Sequence, residues 1–261
     1  MTNLIDLYHY RIPDENYPVS IFLSELTAAD ELSVEGINTR SAVKLLDRLI
    51  DKSQLSDSFD VSDLSVSDRD WILSQLYQHY WNDRILSSLH CERCDEPFDL
   101  SFQLSKLTEN VFSTRNNWRV KGNAEVELSP EINPEEAEEI LKIPTYRQEK
   151  HLFRCNDKSA LSSLSKQVND SHSSEKISDW LESAAPILDL ELSASCPECD
   201  SEYFAHFDIQ SYFLQKLINE KTSTLSEIHL IASTYGWSLS EIQSLPRSVR
   251  QTMANLILDA M

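Results

Sequence analysis

Two Cys-x-x-Cys pairs, separated by 101 residues, constrain this chain more than any other feature. The first reads CERC and puts Cys91 and Cys94 on one short turn; the second reads CPEC and does the same for Cys196 and Cys199. Two thiolates on a tight turn are a common half of a tetrahedral Zn²⁺ site, and two such turns complete a Cys₄ set. The sequence therefore predicts one structural zinc ion held by these four residues.

The distance between the pairs is far longer than the roughly 15–20 residues of an ordinary zinc ribbon. The flanking residues compensate, because CERCDEPFDLSF and CPECDSEYFAHF match at three further positions. The matched residues are Asp95 with Asp200, Phe98 with Tyr203, and Phe102 with Phe207. This repetition predicts a zinc ribbon built from two equivalent halves, each a turn followed by a strand, with a long insert between them.

Other interpretations of the cysteines are weaker. Four unrelated buried thiols would not explain the matching flanks, and a redox Cys-x-x-Cys opens a helix within a βαβ pattern, which neither pair does. The fifth cysteine, Cys155, is expected to be an ordinary thiol. His90 and His206 flank the pairs as alternative ligands or as supports for the ligands. Four cysteines leave no open position for a catalytic water, so the zinc is expected to be structural.

Composition and charge narrow the range of functions. The chain has 261 residues but only 3 glycines. Loops that cradle phosphate need glycine, so nucleotide-binding folds are disfavoured. Its formal charge of −20 repels nucleic acids and anionic membrane surfaces. The sequence lacks an apolar run of the ~20 residues that span a bilayer, and its first residues do not resemble a secretory signal. We expect a cytoplasmic protein with neither nucleic acid nor membrane as partner.

No catalytic motif accompanies the cysteines. The sequence contains no Gly-x-Ser-x-Gly elbow, no His-Glu-x-x-His and no P-loop, although serine is abundant. We therefore expect no catalytic residues, no bound organic cofactor and no enzymatic activity.

The residue pattern predicts an α+β fold, with a zinc-ribbon core, a long mixed insert and a carboxy-terminal helical module. Five segments are expected: an acidic extension (1–66), a helix with the first cysteine turn (67–107), an inserted mixed subdomain (108–185), the second cysteine turn (186–208) and the helical module (209–261).

Apolar spacing and capping residues assign the elements within these segments. Helices are expected at 41–50, from Ser67 up to the first cysteine turn, at 133–142 and at 174–186. Strands are expected at 94–107, 124–128 and 187–192, and an acidic surface loop at 51–68. Three short helices should follow the second turn, with capping boxes at Thr224 and Ser238 and a last helix opened by Pro246.

The carboxy-terminal sequence IHLIASTYGWSLSEIQSLPRSVRQTMANLI carries a resemblance to a known family. It has a histidine-bearing helix that ends in Tyr-Gly-Trp, a short helix that ends in Leu-Pro-Arg, and a final helix. Upstream lie a Cys-Pro-x-Cys followed by Phe-Asp-Ile, and a Leu/Ile-Pro-Thr element. In this order, the pattern resembles the T4-type phage baseplate hub assembly proteins and their counterparts in contractile injection systems. The matching residues, spread over roughly 67–261, are Tyr235, Gly236, Trp237, Leu245, Pro246, Arg247, Phe207, Asp208, Ile209, Ile143, Pro144 and Thr145.

The resemblance implies a non-enzymatic assembly factor, acting as a chaperone, or a minor component of the baseplate of a phage tail or phage tail-like contractile injection system. Its partners would be baseplate, hub or tube proteins, and it would be cytoplasmic or incorporated into the particle. Two alternatives stay open: a chaperone that loads an effector into the tube, and a zinc-ribbon accessory protein in transcription, which the negative charge disfavours. Tyr235 and Trp237 either staple neighbouring helices together or stand exposed as an interface anchor.

Overall fold

The computed structural model describes residues 3–7, 18–57, 59–113, 118–122, 125–128, 140–143, 145–147 and 182–260. The chain forms two compact units. Unit 1 consists of Met1–Ile5, Ser20–Leu55 and Gln210–Met261, and unit 2 consists of Asp6–Val19 and Ser56–Ile209. Unit 1 therefore combines residues from the predicted amino-terminal extension with almost all of the predicted carboxy-terminal module.

The described elements make an α+β fold, as the sequence predicts. Seven α-helices lie wholly within the described ranges: α1 (Ala28–Ser33), α2 (Thr39–Leu49), α3 (Val66–Trp81), α4 (Leu104–Val111), α5 (Ile209–Tyr235), α6 (Leu239–Gln243) and α7 (Arg247–Asp259). The described strands are β1 (Asn3–Asp6), β2 (Ser20–Leu23), β3 (Arg84–His90), β4 (Pro97–Gln103), β5 (Trp118–Gly122), β6 (Glu125–Leu128), β7 (Ile140–Lys142), β8 (Asp189–Ser195) and β9 (Glu202–Asp208). They form small sheets in the orders β1-β2, β3-β4, β5-β6-β7 and β8-β9. None of the helices in these ranges has the length and apolarity that crossing a membrane requires.

The core of unit 1 joins its amino-terminal and carboxy-terminal helices. Its buried residues come from α1, α5, α6 and α7: Ala28, Ile228, Ile231, Ile242 and Ile257. Helix α2 confirms the predicted helix at 41–50, with its apolar side buried. Short helices are marginal on their own, so α1, α6 and α7 depend on this shared core.

The carboxy-terminal module differs from the prediction in one respect. Instead of two short helices before Ser238, α5 runs unbroken for 27 residues. The expected capping box at Thr224 is wrong because Thr224 lies inside α5, where its hydroxyl donates to Glu31 at 2.7 Å. The capping box of Ser238 with Glu241 is confirmed at the start of α6, and α7 begins directly after Pro246 as expected.

A buried ion cluster ties α1 to α5 and α7 within unit 1. One oxygen of Glu31 accepts from Arg247 at 2.8 Å, and the other accepts from Arg250 at 2.7 Å. Arg247 also pairs with Glu220, and Arg250 with Glu227. The side chains of Glu31 and Arg250 are 1% and 0% exposed, so each charge depends on these partners for its stabilisation.

In unit 2, α3 begins and ends earlier than the sequence suggested. Its amino-terminal cap is Ser65, whose side chain accepts from the Asp68 backbone at 3.0 Å, and not Ser67. The helix ends at Trp81, and Asn82 takes a positive φ of 65°. Residues 84–90 are strand β3, so the expectation that a helix reaches Cys91 is wrong. The predicted surface loop at 51–68 is also wrong at its end, because residues 64–68 are buried.

The insert between the cysteine pairs contains a three-stranded antiparallel sheet, β5-β6-β7. Strand β6 confirms the strand predicted at 124–128. The helix predicted at 133–142 is wrong at its end, because 140–142 form β7. Residues 133–139 and 174–181 lie outside the described residues, and only 182–184 of the second predicted helix are described, as helix.

Candidate metal centre

Two β-hairpins of unit 2 carry the four cysteines at their tips. The strands β3 and β4 pair in antiparallel register from Arg84↔Gln103 to His90↔Pro97. The strands β8 and β9 pair in the same way, from Asp189↔Asp208 to Ser195↔Glu202. Adding 105 to each bound of the first hairpin gives the bounds of the second. The predicted repetition is therefore a whole hairpin, with a strand before each cysteine turn as well as after it.

The repetition continues into the helices that follow. Leu104 opens α4 directly after β4, and Ile209 opens α5 directly after β9. Each donates its backbone N–H to a carbonyl just before the hairpin, Leu104 to Asp83 at 2.8 Å and Ile209 to Leu188 at 3.0 Å. Both halves of the site are thus strand, turn, strand and helix, closed by the same hydrogen bond.

The two cysteine turns have the same backbone geometry. The first cysteine of each pair accepts the backbone N–H of the aspartate four residues later, Asp95 or Asp200, at 2.9 Å. Both aspartates lie in the left-handed region, with φ of 59° and 53°. Aspartate tolerates this region better than most side chains do. This explains why the same residue follows each pair in the sequence.

The hairpins bring the four sulfur atoms together. All four Sγ atoms lie within 4.8 Å of one another. The Cys91 and Cys199 sulfurs are 3.6 Å apart, and the Cys94 and Cys196 sulfurs are 3.7 Å apart. A tetrahedral zinc with bonds of about 2.3 Å requires sulfurs about 3.8 Å apart. The cluster therefore could hold one metal ion, and its donors and spacing fit Zn²⁺.

The electrostatics of the cluster favour a cation at its centre. The Ser201 hydroxyl, with the backbone N–H groups of Cys94 and Arg93, lowers the pKa of Cys91 to about 6. The Glu96 backbone N–H lowers the pKa of Cys94, but burial and the neighbouring thiols outweigh it and raise that pKa to about 12. Like charges this close oppose one another's ionisation. Four thiolates can share this space only when a cation balances them.

Aromatic side chains hold the hairpins together beside the sulfurs. Phe98 packs edge-on against Tyr203, with ring centroids 5.8 Å apart, and Phe102 packs edge-on against Phe207 at 5.1 Å. These are the aromatic positions that match in the sequence repeat. Cys91, Cys196 and Phe98 form the buried centre of this cluster.

The remaining cysteine and histidines have different positions. His90 and His206 are exposed on the strands, and the His206 ring pairs with Asp189. Neither histidine belongs to the described group that could hold a metal. Cys155 lies outside the described residues.

Sequence reasoning missed Ser201. Its hydroxyl lies 3.2 Å from the Cys91 sulfur and 3.3 Å from the Cys199 sulfur. The signal available was its position, two residues after Cys199, but a serine there is not distinctive in a serine-rich chain.

Comparison with known proteins places the chain in a family. Residues 24–214 match the family described as T4 bacteriophage base plate protein, which is well over half of the chain. The chain belongs to this family. No match was found among curated proteins or among solved structures.

The family match covers a different range from the one the resemblance suggested. It starts at residue 24, so it includes much of the first 66 residues, and it ends at residue 214, before most of the carboxy-terminal helices. The match contains both cysteine hairpins. The baseplate assignment therefore rests on the part of the protein that carries the candidate metal centre.

Proposed function

We propose that this baseplate protein is a non-enzymatic component of a contractile tail of the T4 type, built around one structural zinc ion. Family membership over both hairpins carries the proposal. The protein binds other baseplate proteins while the baseplate is built and remains in the finished particle. An assembly chaperone that leaves before completion is the second candidate, favoured by the resemblance to hub assembly proteins.

The metal centre supports a structural role. All four donors are cysteines of the protein itself, whereas catalytic zinc keeps an open position for water. Two-stranded hairpins are marginally stable alone, and each candidate ligand pair sits at the tip of one. In this proposal the hairpins form a zinc ribbon, and Cys91, Cys94, Cys196 and Cys199 hold the ion that fixes one hairpin against the other.

The carboxy-terminal helices supply the surface for partners. The whole chain carries a formal charge of −20, yet residues 209–261 hold four basic and four acidic side chains. Seven of the eleven exposed large apolar side chains in the described residues lie there: Leu225, Tyr235, Trp237, Leu239, Val249, Leu256 and Leu258. Interface centres are depleted in charge and enriched in Tyr and Trp.

The aromatic tip, Tyr235 to Trp237, is the most prominent part of this surface. Tyr235 and Trp237 are 47% and 41% exposed, and their rings contact each other with centroids 5.8 Å apart. Gly236 between them has a φ of 69°, which suits glycine, and its N–H closes α5 by donating to the Ala232 carbonyl at 2.9 Å. The two rings are therefore held together in an exposed position, which favours an interface anchor over an internal staple.

Deleting the gene is expected to abolish or greatly reduce assembled contractile particles, while sheath and tube proteins are still made. A missing baseplate protein removes the platform on which the tail is built. Particle counts by electron microscopy and immunoblots of sheath and tube proteins measure this, with the wild-type gene restored in trans as control. Normal numbers of active particles in the deletion strain would overturn the proposal. Intact particles without cargo would point to effector loading instead.

A deletion strain that carries the Trp237→Ala gene in trans is expected to yield at least tenfold fewer particles than one that carries the wild-type gene. The reason is that truncating an interface anchor typically costs 2 kcal/mol or more of binding energy. The matched control is Phe204→Ala, which removes an exposed aromatic on β9, 60% exposed, outside this surface. Both purified proteins should fold and melt as the wild type does. Full particle yield with Trp237→Ala would show that the aromatic tip is not a partner surface.

A further inference from the structure

The Ser201 side chain bridges the two halves of the metal centre. Its hydroxyl oxygen contacts Cys91 of the first turn at 3.2 Å and Cys199 of the second turn at 3.3 Å. The Ser201 backbone serves the second turn as well, because its carbonyl accepts the Cys196 N–H at 3.0 Å. One residue thus contacts a sulfur from each hairpin.

The repeat within the protein separates the role of the Ser201 side chain from that of its backbone. Glu96 is the equivalent residue in the first turn, and its carbonyl accepts the Cys91 N–H at 3.0 Å just as the Ser201 carbonyl accepts from Cys196. Glutamate therefore satisfies the backbone requirements of this position. The turn does not need a serine here, so the hydroxyl must be explained by what it contacts.

The charge of a loaded site gives the hydroxyl its function. Four thiolates around Zn²⁺ leave two negative charges, inside a protein whose formal charge is already −20. Zinc-bound thiolates can only accept hydrogen bonds, so the serine hydroxyl must donate. Hydrogen bonds to an ionised acceptor are roughly twice as strong as neutral ones.

We infer that Ser201 is a positioning residue of the metal centre, whose hydroxyl donates to the Cys91 thiolate while its oxygen lies against the Cys199 sulfur, and that it tightens zinc binding across the two hairpins. This inference rests on the zinc site of the proposed function. It assigns to one side chain a role that the four ligands alone do not explain, because groups that support metal ligands set affinity as well as orientation.

The test compares the full-length wild type with Ser201→Ala, Ser201→Thr and the control Ser195→Ala. Ser195 is an exposed serine next to Cys196. Zinc affinity is measured by competition with a chromophoric chelator, and Co²⁺ replaces zinc to report on the sulfurs by absorption. Removing the hydroxyl should weaken zinc binding about 10–100-fold. The sulfur-to-cobalt charge-transfer band should move to lower energy, because the thiolate lone pairs lose a hydrogen bond.

The variants separate this inference from the zinc site itself. Ser201→Thr, which keeps the hydroxyl, should restore affinity and band position, and Ser195→Ala should match the wild type. If Ser201→Ala bound zinc as tightly as the wild type with an unmoved cobalt band, the inference would be wrong and the zinc site would stand. If the wild type itself bound neither metal, both would fail.

Discussion

Replacing Cys196 or Cys91 by serine is expected to lower the free energy of unfolding by several kcal/mol and to abolish stoichiometric zinc binding. Metal binding is coupled to folding, so the binding energy of the proposed zinc would be part of the stability of the paired hairpins. Both sulfurs lie at the buried centre of the cluster, where the exposed fractions of Cys91 and Cys196 are 2% and 0%. A serine hydroxyl there replaces a thiolate ligand with a poor one and leaves three sulfurs to hold the ion.

Elemental analysis and thermal melts of the purified variants test this prediction. Cys155→Ser is the matched control, since four other cysteines already complete a tetrahedral set, and it should keep one zinc per chain. Stripping zinc from the wild type with a chelator should reproduce the effect of the substitutions. A metal-free protein that melts cooperatively at the wild-type temperature would contradict the prediction.

Lowering the pH should release the zinc, as a chelator does. Each cysteine must be deprotonated to bind zinc, so zinc binding releases the protons that the free thiols carry. The raised pKa of Cys94, about 12, means that this thiol holds its proton firmly without metal. Zinc content and stability should therefore fall together as the pH is lowered, and both should recover when the pH is restored with zinc present.

Glu31→Ala is expected to cost about 3–5 kcal/mol of stability, because it leaves Arg247 and Arg250 buried without their shared acceptor. Arg250 keeps Glu227, but its contact with Glu31 at 2.7 Å is lost, and so is the bond from Thr224. The three helices that meet at Glu31, namely α1, α5 and α7, also share the apolar core of unit 1. Losing the cluster should therefore loosen this core as a whole.

Urea unfolding followed by circular dichroism measures this cost. The control is Glu35→Ala, an exposed glutamate just after α1, which should change stability by less than about 0.5 kcal/mol. The double variant Glu31→Met with Arg250→Met should recover part of the loss, because well-packed apolar residues can replace a buried ion pair. A Glu31→Ala protein within about 1 kcal/mol of the wild type would show that water reaches these arginines.

The sequence carried enough information to predict that the four cysteines come together in a cluster that could hold a metal ion. The repeat around the cysteines identified Asp95 and Asp200, which take the same left-handed conformation in their two turns. It also identified the aromatic residues that pack against each other across the hairpins. The turn conformation and the aromatic packing require the same residue types in both halves, so the repeat is visible within a single sequence.

The residues of β3 are predicted as helix for a physical reason. Trp81, Ile85 and Leu89 are spaced by four, which fits one side of a helix, and the apolar spacing continues smoothly from α3. Asn82 breaks the helix by taking a positive φ. The second half of the repeat indicates the correct structure, because the strand predicted at 187–192 overlaps β8. Strand β8 is the equivalent of β3.

Contacts distant in sequence left no local signal. Glu31 and Arg250 are 219 residues apart, and neither stands out among the charged residues of the chain. Thr224 and Glu227 fit a capping box, yet both lie inside α5. There they belong to the ion cluster, through hydrogen bonds with Glu31 and Arg250. Here tertiary contacts override a local pattern that has the correct residues.

Mass spectrometry of purified contractile particles tests the central claim most directly. The particles are isolated from cells that carry the wild-type gene, washed in high salt and digested, with peptides of abundant cytoplasmic proteins as the reference for carry-over. A baseplate component should yield peptides of this chain in a fixed ratio to sheath and tube proteins in every preparation. Complete particles from which this chain is absent would contradict that claim, and its appearance only in partly assembled intermediates would identify an assembly chaperone.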